Sequence, residues 1–254
     1  MIMKYPFSIL AVLLLSANCF ANQVKLNWQL CPSYIESQGN LVCSTIKQPL
    51  NHDDPDGRKI DILILKAPGK SKVKKGQIWF LMGGPGESVA DFSYPLYKWS
   101  QTHPQYDYYA MEHRGTGGST HLKCSPRTST EHCIEELTST WTKEGLGFFN
   151  TTQAAHDLAS IMTMTGNKTK KYLYGFSYGT FLAQPFLTIY STMVAGIVID
   201  GVVPASKNER GLLAIDRYDN SFNELALAIA QVCDEDTICS SKIREFAPTT
   251  ETLI

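Results

Sequence analysis

Apolar and polar positions alternate along this chain in two distinct rhythms. Residues 41–50 and 59–66 are two segments of strand length. They are separated by the turn-rich Asn51-His52-Asp53-Asp54-Pro55-Asp56-Gly57 and predict the paired start of a sheet. The runs 78–82, 106–111, 171–176 and 195–199 are short and almost continuously apolar, the pattern of strands buried on both faces of a parallel sheet covered by helices. Between them, residues 151–165 place Ala154, Leu158, Ile161, Met162 and Thr165 at helical spacing behind a cap at Asn150 or Thr151. A second helix is predicted over 180–190, with Pro185 as an internal defect, and Phe222, Leu225, Ile229 and Val232 trace one face of an amphipathic helix. Strand and helix taking turns in this way predict an α/β fold with a parallel sheet. The five lysines between Lys66 and Lys75 read as a solvated hairpin loop and not as a binding patch.

Composition narrows the function classes. With 254 residues and 43% hydrophobic content the chain can bury a sizeable core, as one large domain or one domain plus an appendage. A formal net charge of -1, with cations spread among acids, offers no basic field to hold a phosphate backbone, so nucleic-acid binding is not expected. Lys4, the apolar run 7–15 and the small residues ending at Ala21 follow the order of a signal peptide, with cleavage expected after Ala21 and a secreted or periplasmic product. That run is shorter than the roughly 20 residues needed to cross a bilayer, so no stable membrane span is expected after cleavage. The expected mature chain keeps Cys31, Cys43, Cys124, Cys133, Cys233 and Cys239, an even set for an oxidising compartment. Local pairing of 31 with 43, 124 with 133 and 233 with 239 is the economical expectation, although sequence alone leaves other connectivities open. No Cys-x-x-Cys or histidine cluster stands at zinc spacing, so neither a metal nor another cofactor is expected. Asn150 and Asn167 head Asn-x-Thr sites that matter only in a host that glycosylates.

The strongest chemical signal is Gly175-Phe176-Ser177-Tyr178-Gly179, set where an apolar run ends and a helix begins. A serine on so sharp a turn needs small flanking residues, because a side chain there would strike neighbouring backbone, and the turn puts Ser177 at a helix N-terminus that favours negative charge. Ser177 is the expected nucleophile. Gly83-Gly84-Pro85-Gly86 follows the run 78–82, and a loop of this kind lets backbone approach a substrate. The amides of Gly84 and Tyr178 are the expected oxyanion hole. Glu112-His113-Arg114-Gly115-Thr116-Gly117-Gly118-Ser119 is glycine-rich, but no G-K-[ST] follows, so a structural role is expected.

Taken with Gln48-Pro49-Leu50-Asn51-His52-Asp53 and Ile199-Asp200-Gly201, these motifs give a chain that resembles secreted tripeptidyl aminopeptidase-like proteins, of the proline iminopeptidase branch of the α/β-hydrolases. The resemblance spans nearly all of the expected mature chain. It implies an α/β-hydrolase fold, a mostly parallel sheet with helices on both faces, and a cap selecting substrates. It also implies a serine exopeptidase that takes residues from peptide N-termini through an acyl-enzyme. The corresponding division is a signal peptide over 1–21, a hydrolase core over 22–206 and the start of a cap over 207–254. Glu112 stands where many relatives carry aspartate, Met82 where some carry histidine and Phe176 where glutamate or glycine is common.

A serine needs a histidine to take its proton and an acid to orient that histidine, in the chain order serine, acid, histidine for this fold. His52, His103, His113, His121, His132 and His156 all precede Ser177, and His113 and His156 fall in loop and helix contexts expected away from it. Asp200, Asp216 and Asp219 follow the serine, but Asp200 matches a structural family position. The triad acid and histidine are therefore expected outside these 254 residues, the chain being the N-terminal part of a longer hydrolase. Two rival readings are a secreted carboxylesterase or lipase and a truncated, inactive hydrolase acting as a binding protein. The sequence carries no signal for oligomeric state.

Overall fold

A computed structural model describes residues 25–36, 39–166, 169–204 and 218–243. The expected signal peptide, Asn167, Asp216 and the ends of the expected cap lie outside them. Two strands open the fold, β1 (Val42–Pro49) and β2 (Lys59–Ala67), paired antiparallel with Val42 opposite Lys66 and Pro49 opposite Lys59. Then follow β3 (Gly76–Leu81), α1 (Ser93–Thr102), β4 (Tyr106–Met111), α2 (Thr130–Trp141), α3 (Lys143–Leu146), α4 (Thr151–Met164), β5 (Lys171–Phe176), α5 (Tyr178–Tyr190) and β6 (Gly196–Asp200). Two further helices, α6 (Tyr218–Glu235) and α7 (Thr237–Ile243), pack on each other and are joined by Cys233–Cys239.

The strands form one sheet in the order β1-β2-β4-β3-β5-β6. β3 runs parallel to both β4 and β5, and β5 parallel to β6, while β2 meets β4 antiparallel. Because β4 lies between β2 and β3, the lysine-rich segment is not a hairpin: it carries the chain across the end of β4. Nor is it wholly solvated, since Lys66 and Lys74 converge on Asp107 at 3.7 and 2.6 Å. A hairpin would have left β3 without its parallel partner on that side, and it is the apolar run of β4, buried from Tyr108 to Met111, that takes the inner place.

Side chains of period two divide between the two faces. Ile62, Ile64, Trp79, Leu81, Tyr109 and Leu173 face α4 and α5, where Leu158, Ile161, Met162, Leu182 and Phe186 complete one core. Leu63, Leu65, Phe80, Tyr108 and Ala110 face α1 and Leu96. Trp79 stacks on Tyr109 with centroids 4.5 Å apart, and Phe80 on Trp99 at 4.9 Å. β6 departs from the expectation of a strand buried on both faces. It pairs only with β5 among the described residues, and Val198 and Ile199 remain 56% and 48% exposed. An apolar run reports the tendency to be covered; α5 reaches β6 and Ile197 packs on the core, but a strand at the margin of the described sheet has no further strand beyond it.

Asn150 caps α4 as expected, its Oδ1 accepting the Gln153 N–H at 2.9 Å. Alanine at this position leaves that amide without its acceptor and is expected to lower stability by about 1 kcal/mol, read as a shift of the denaturant midpoint at constant slope. The three local disulfides form as expected: Cys31–Cys43 fastens the entering segment to β1, Cys124–Cys133 ties the approach to α2, and Cys233–Cys239 closes the pair α6 and α7. Among the described residues no helix is long and apolar enough to cross a membrane.

Candidate active site

Ser177 stands between the last residue of β5 and the first of α5 with φ 49° and ψ -117°. A non-glycine residue holds such a conformation only where its surroundings over-determine it, at a cost of about 1–3 kcal/mol. Here they do. Ser177 N–H donates to Asp200 O at 2.8 Å, and Ser177 O accepts from Thr180 N–H at 2.9 Å and from Thr180 Oγ1 at 2.7 Å. A Cβ on Gly175 would lie 2.9 Å from Gly179 O, and one on Gly179 only 2.0 Å from Leu81 O. The flanking glycines therefore serve the steric purpose read from the motif, and the second of them lets α5 start hard against the end of β3. Helix α5 begins at Tyr178, two residues earlier than the periodicity placed it.

Close approach of α5 to β3 brings the elbow beside the loop that leaves β3. A Cβ on Gly83 would meet Phe176 Cδ1 at 3.3 Å, so this loop leans on the residue preceding the serine. Gly84 is exposed, has φ 101°, and its amide finds no protein acceptor among the described residues. Tyr178, first residue of α5, has an amide without an intrahelical acceptor, at the positive end of the helix. The site thus sets a partly exposed serine on a strained turn at the start of α5, with the Gly83–Gly86 loop leaning on the residue before it.

The loop after β4 does what its structural reading implied, and one thing more. Arg114, fully buried, donates through Nε and Nη2 to both carboxylate oxygens of Asp157 at 2.8 and 2.7 Å, through Nη1 to Leu50 O and Phe148 O, and through Nη2 to Pro49 O. His52 Nε2 reaches the same Asp157 Oδ1 at 2.8 Å. The motifs 48–53 and 113–117 are thereby two sides of one buried clamp. His156, expected away from the serine, is occupied by Tyr190 Oη at 2.6 Å.

His113 meets the side chain of the residue after Ser177 and not Ser177 itself. Its Nδ1–H donates to Arg114 O at 2.7 Å, which leaves the lone pair on Nε2 to accept the Tyr178 O–H at 3.3 Å. Burial depresses the His113 pKa and pushes the Tyr178 phenol up to about 12, so both rings are neutral at pH 7. Among the described residues no histidine is hydrogen-bonded to Ser177. Asp200 accepts from Tyr174 Oη at 2.9 Å through its side chain, and Asp219 lies on α6. Sequence reasoning also passed over Glu87, whose Oε2 accepts the Gly83 N–H at 3.1 Å. A charged residue directly behind Gly-Pro-Gly was the available signal.

A family description for the alpha/beta hydrolase fold matches residues 78–248. Tripeptidyl aminopeptidases of Streptomyces lividans and Streptomyces coelicolor are each 24% identical over 222 residues, covering 74% of this chain and 40% of the relative. The chain therefore spans less than half the length of these curated relatives. Among solved structures, Cfl2 of Burkholderia cenocepacia is 16% identical with a TM-score of 0.45, over 87% of this chain and 60% of that one. A cold-adapted esterase from an Arctic intertidal metagenomic library is 14% identical with a TM-score of 0.44, over 79% and 72%.

Proposed function

We propose, for a chain that belongs to the α/β-hydrolase fold family, a secreted serine hydrolase of the aminopeptidase type that releases N-terminal residues from peptides through an acyl-enzyme. The observation that carries this reading is the strained conformation of Ser177 at the junction of β5 and α5, held by Asp200 O and by two glycines that tolerate no Cβ. Strain of this kind persists where exposing one side chain matters more than the energy it costs. Ser177 Oγ attacks the scissile carbonyl carbon, and the carbonyl oxygen takes up negative charge facing the Gly84 and Tyr178 amides. Collapse of that intermediate expels the amine, and water then hydrolyses the ester on Ser177.

The proton from Ser177 needs an acceptor. Among the described residues no histidine is hydrogen-bonded to Ser177, and His52, His113 and His156 are engaged with Asp157, Arg114 O and Tyr190, so none of these three is assigned as that base. Peptides are favoured as substrates by the similarity to the Streptomyces tripeptidyl aminopeptidases. The leader pattern and three disulfides favour an oxidising, extracytoplasmic location.

A fluorophosphonate probe applied to the protein purified from its source tests the assignment. Label is expected on the peptide bearing Ser177, together with cleavage of aminoacyl amides. Label elsewhere, or none, removes the serine reading, whereas rapid hydrolysis of short acyl esters without amide cleavage would move the assignment to a carboxylesterase.

A further inference from the structure

The loop bearing Gly84 is held at its far end by a carboxylate that the proposed chemistry does not touch. Glu112 follows β4 directly and is fully buried, and no lysine, arginine or histidine forms an ion pair with it among the described residues. Its Oε2 accepts the Ser88 Oγ–H at 2.9 Å and the Val89 N–H at 3.2 Å, and its Oε1 accepts the Thr116 Oγ1–H at 3.3 Å. Burying a carboxylate without a cation is costly, and that cost is offset only through its hydrogen bonds. Burial accordingly raises the Glu112 pKa, while the Ser88, Val89, Gly118 and Thr116 contacts oppose the rise.

The position of these contacts gives them a purpose. Ser88 and Val89 come two and three residues after Gly86, and Ser88 Oγ also accepts the Ala90 N–H at 3.2 Å, so one carboxylate closes the C-terminal end of the loop. At the other end Gly83 N–H is tied to Glu87. Between the two ties lie Gly84 and Gly86, with φ 101° and 111°, the residues with the widest backbone freedom and the one amide that must not wander. The second loop is shaped around the same group: a Cβ on Gly117 would lie 2.3 Å from Glu112 Oε2, so only glycine leaves room for the carboxylate.

We infer that Glu112 is a positioning residue, which sets the Gly84 amide for the oxyanion by anchoring Ser88 and Val89. The inference rests on the serine-hydrolase reading above. Its test uses the protein produced in its own host, with Glu112→Ala and the milder Ser88→Ala as disrupting variants. Glu112→Gln serves as rescue, because its amide oxygen can still accept from Ser88 and Val89 while its NH2 turns to Thr116. Two readouts are taken: the saturating rate and half-saturating concentration of fluorophosphonate labelling at Ser177, and hydrogen exchange of the Val89 amide. Glu112→Ala and Ser88→Ala are expected to speed Val89 exchange while α4 exchanges as before. In Glu112→Ala the saturating labelling rate should fall on the order of 10-fold, less than the roughly 10²–10³-fold cost of removing an oxyanion donor outright, at unchanged half-saturation. Ser88→Ala should move the same way by less, and Glu112→Gln should recover most of the loss.

Should Glu112→Ala fail to fold, Ser88→Ala decides the matter by the same two readouts. Unchanged Val89 exchange, or faster exchange with labelling undiminished, overturns the inference and leaves the serine assignment standing. An unlabelled Ser177 in the unmodified protein overturns the serine assignment, and this inference with it.

Discussion

Glycine at position 177 is expected to abolish covalent labelling and peptide hydrolysis while making the protein more stable. Ser177 holds φ 49°, a region that L-residues with a Cβ enter at a cost of about 1–3 kcal/mol and that glycine enters freely. Glycine also has more conformational freedom to lose on folding, which removes part of the gain, so a net stabilisation of about 1 kcal/mol is expected. On the serine-hydrolase reading proposed above, activity should fall by on the order of 10⁴-fold or more, because the proposed acyl-enzyme loses its nucleophile. Ser177→Ala separates the two effects: it keeps the strain and removes the hydroxyl, so it should be equally inactive without the stability gain. Denaturant unfolding of the three proteins beside their labelling kinetics decides the point. A glycine variant less stable than the serine protein would mean that the turn is not strained in solution.

The second large effect lies in the clamp. Replacing Arg114 by methionine should destabilise the protein by about 3–5 kcal/mol, the range for removing one partner of a buried ion pair and leaving the other charge uncompensated. Three main-chain carbonyls would lose their donor as well, those of Pro49, Leu50 and Phe148. Arg114→Lys should recover little, since a lysine cannot bridge both oxygens of Asp157 and still reach those carbonyls. Asp157→Leu combined with Arg114→Met should cost much less than the sum of the two, because no unpaired charge remains. Unfolding midpoints of the two single variants and the double variant measure this directly, and additive losses would show that the two side chains do not act as a pair.

These predictions concern motifs that stand far apart in the chain, and they mark where sequence reasoning succeeds and where it stops. The turn-rich segment 51–57 between two strand-length segments identified β1 and β2, and the nearly continuous apolar runs identified β3, β4 and β5, because burial on one or both faces imposes a local pattern. The elbow was legible for the same reason: the demand for glycine at 175 and 179 is steric and short in range. The paired cysteines lie close in sequence, so local pairing could be expected. Helix α1 was not anticipated, since its Tyr94, Pro95 and Trp99 break a clear helical repeat and its fit against Phe80 and Tyr108 depends on the sheet beneath it.

What lay beyond the sequence shares one cause, which is choice of neighbour. An apolar run does not state which strand it will join, so the place of β4 between β2 and β3 appears only in the assembled sheet, as does the marginal position of β6. Glu112, His113 and Arg114 are adjacent in the chain and each reads as one residue of a glycine-rich loop. In the folded protein they part, to Ser88 and Val89, to Tyr178, and to Asp157. The chain alone determined the α/β class and the serine with its glycines, because each follows from short-range sterics or periodicity, and it made local disulfide pairing the economical expectation while leaving the connectivity to the fold. Only tertiary structure decided which buried polar group meets which donor, because a hydrogen bond of 3 Å between residues tens of positions apart exists only once hydrophobic burial has set the elements side by side.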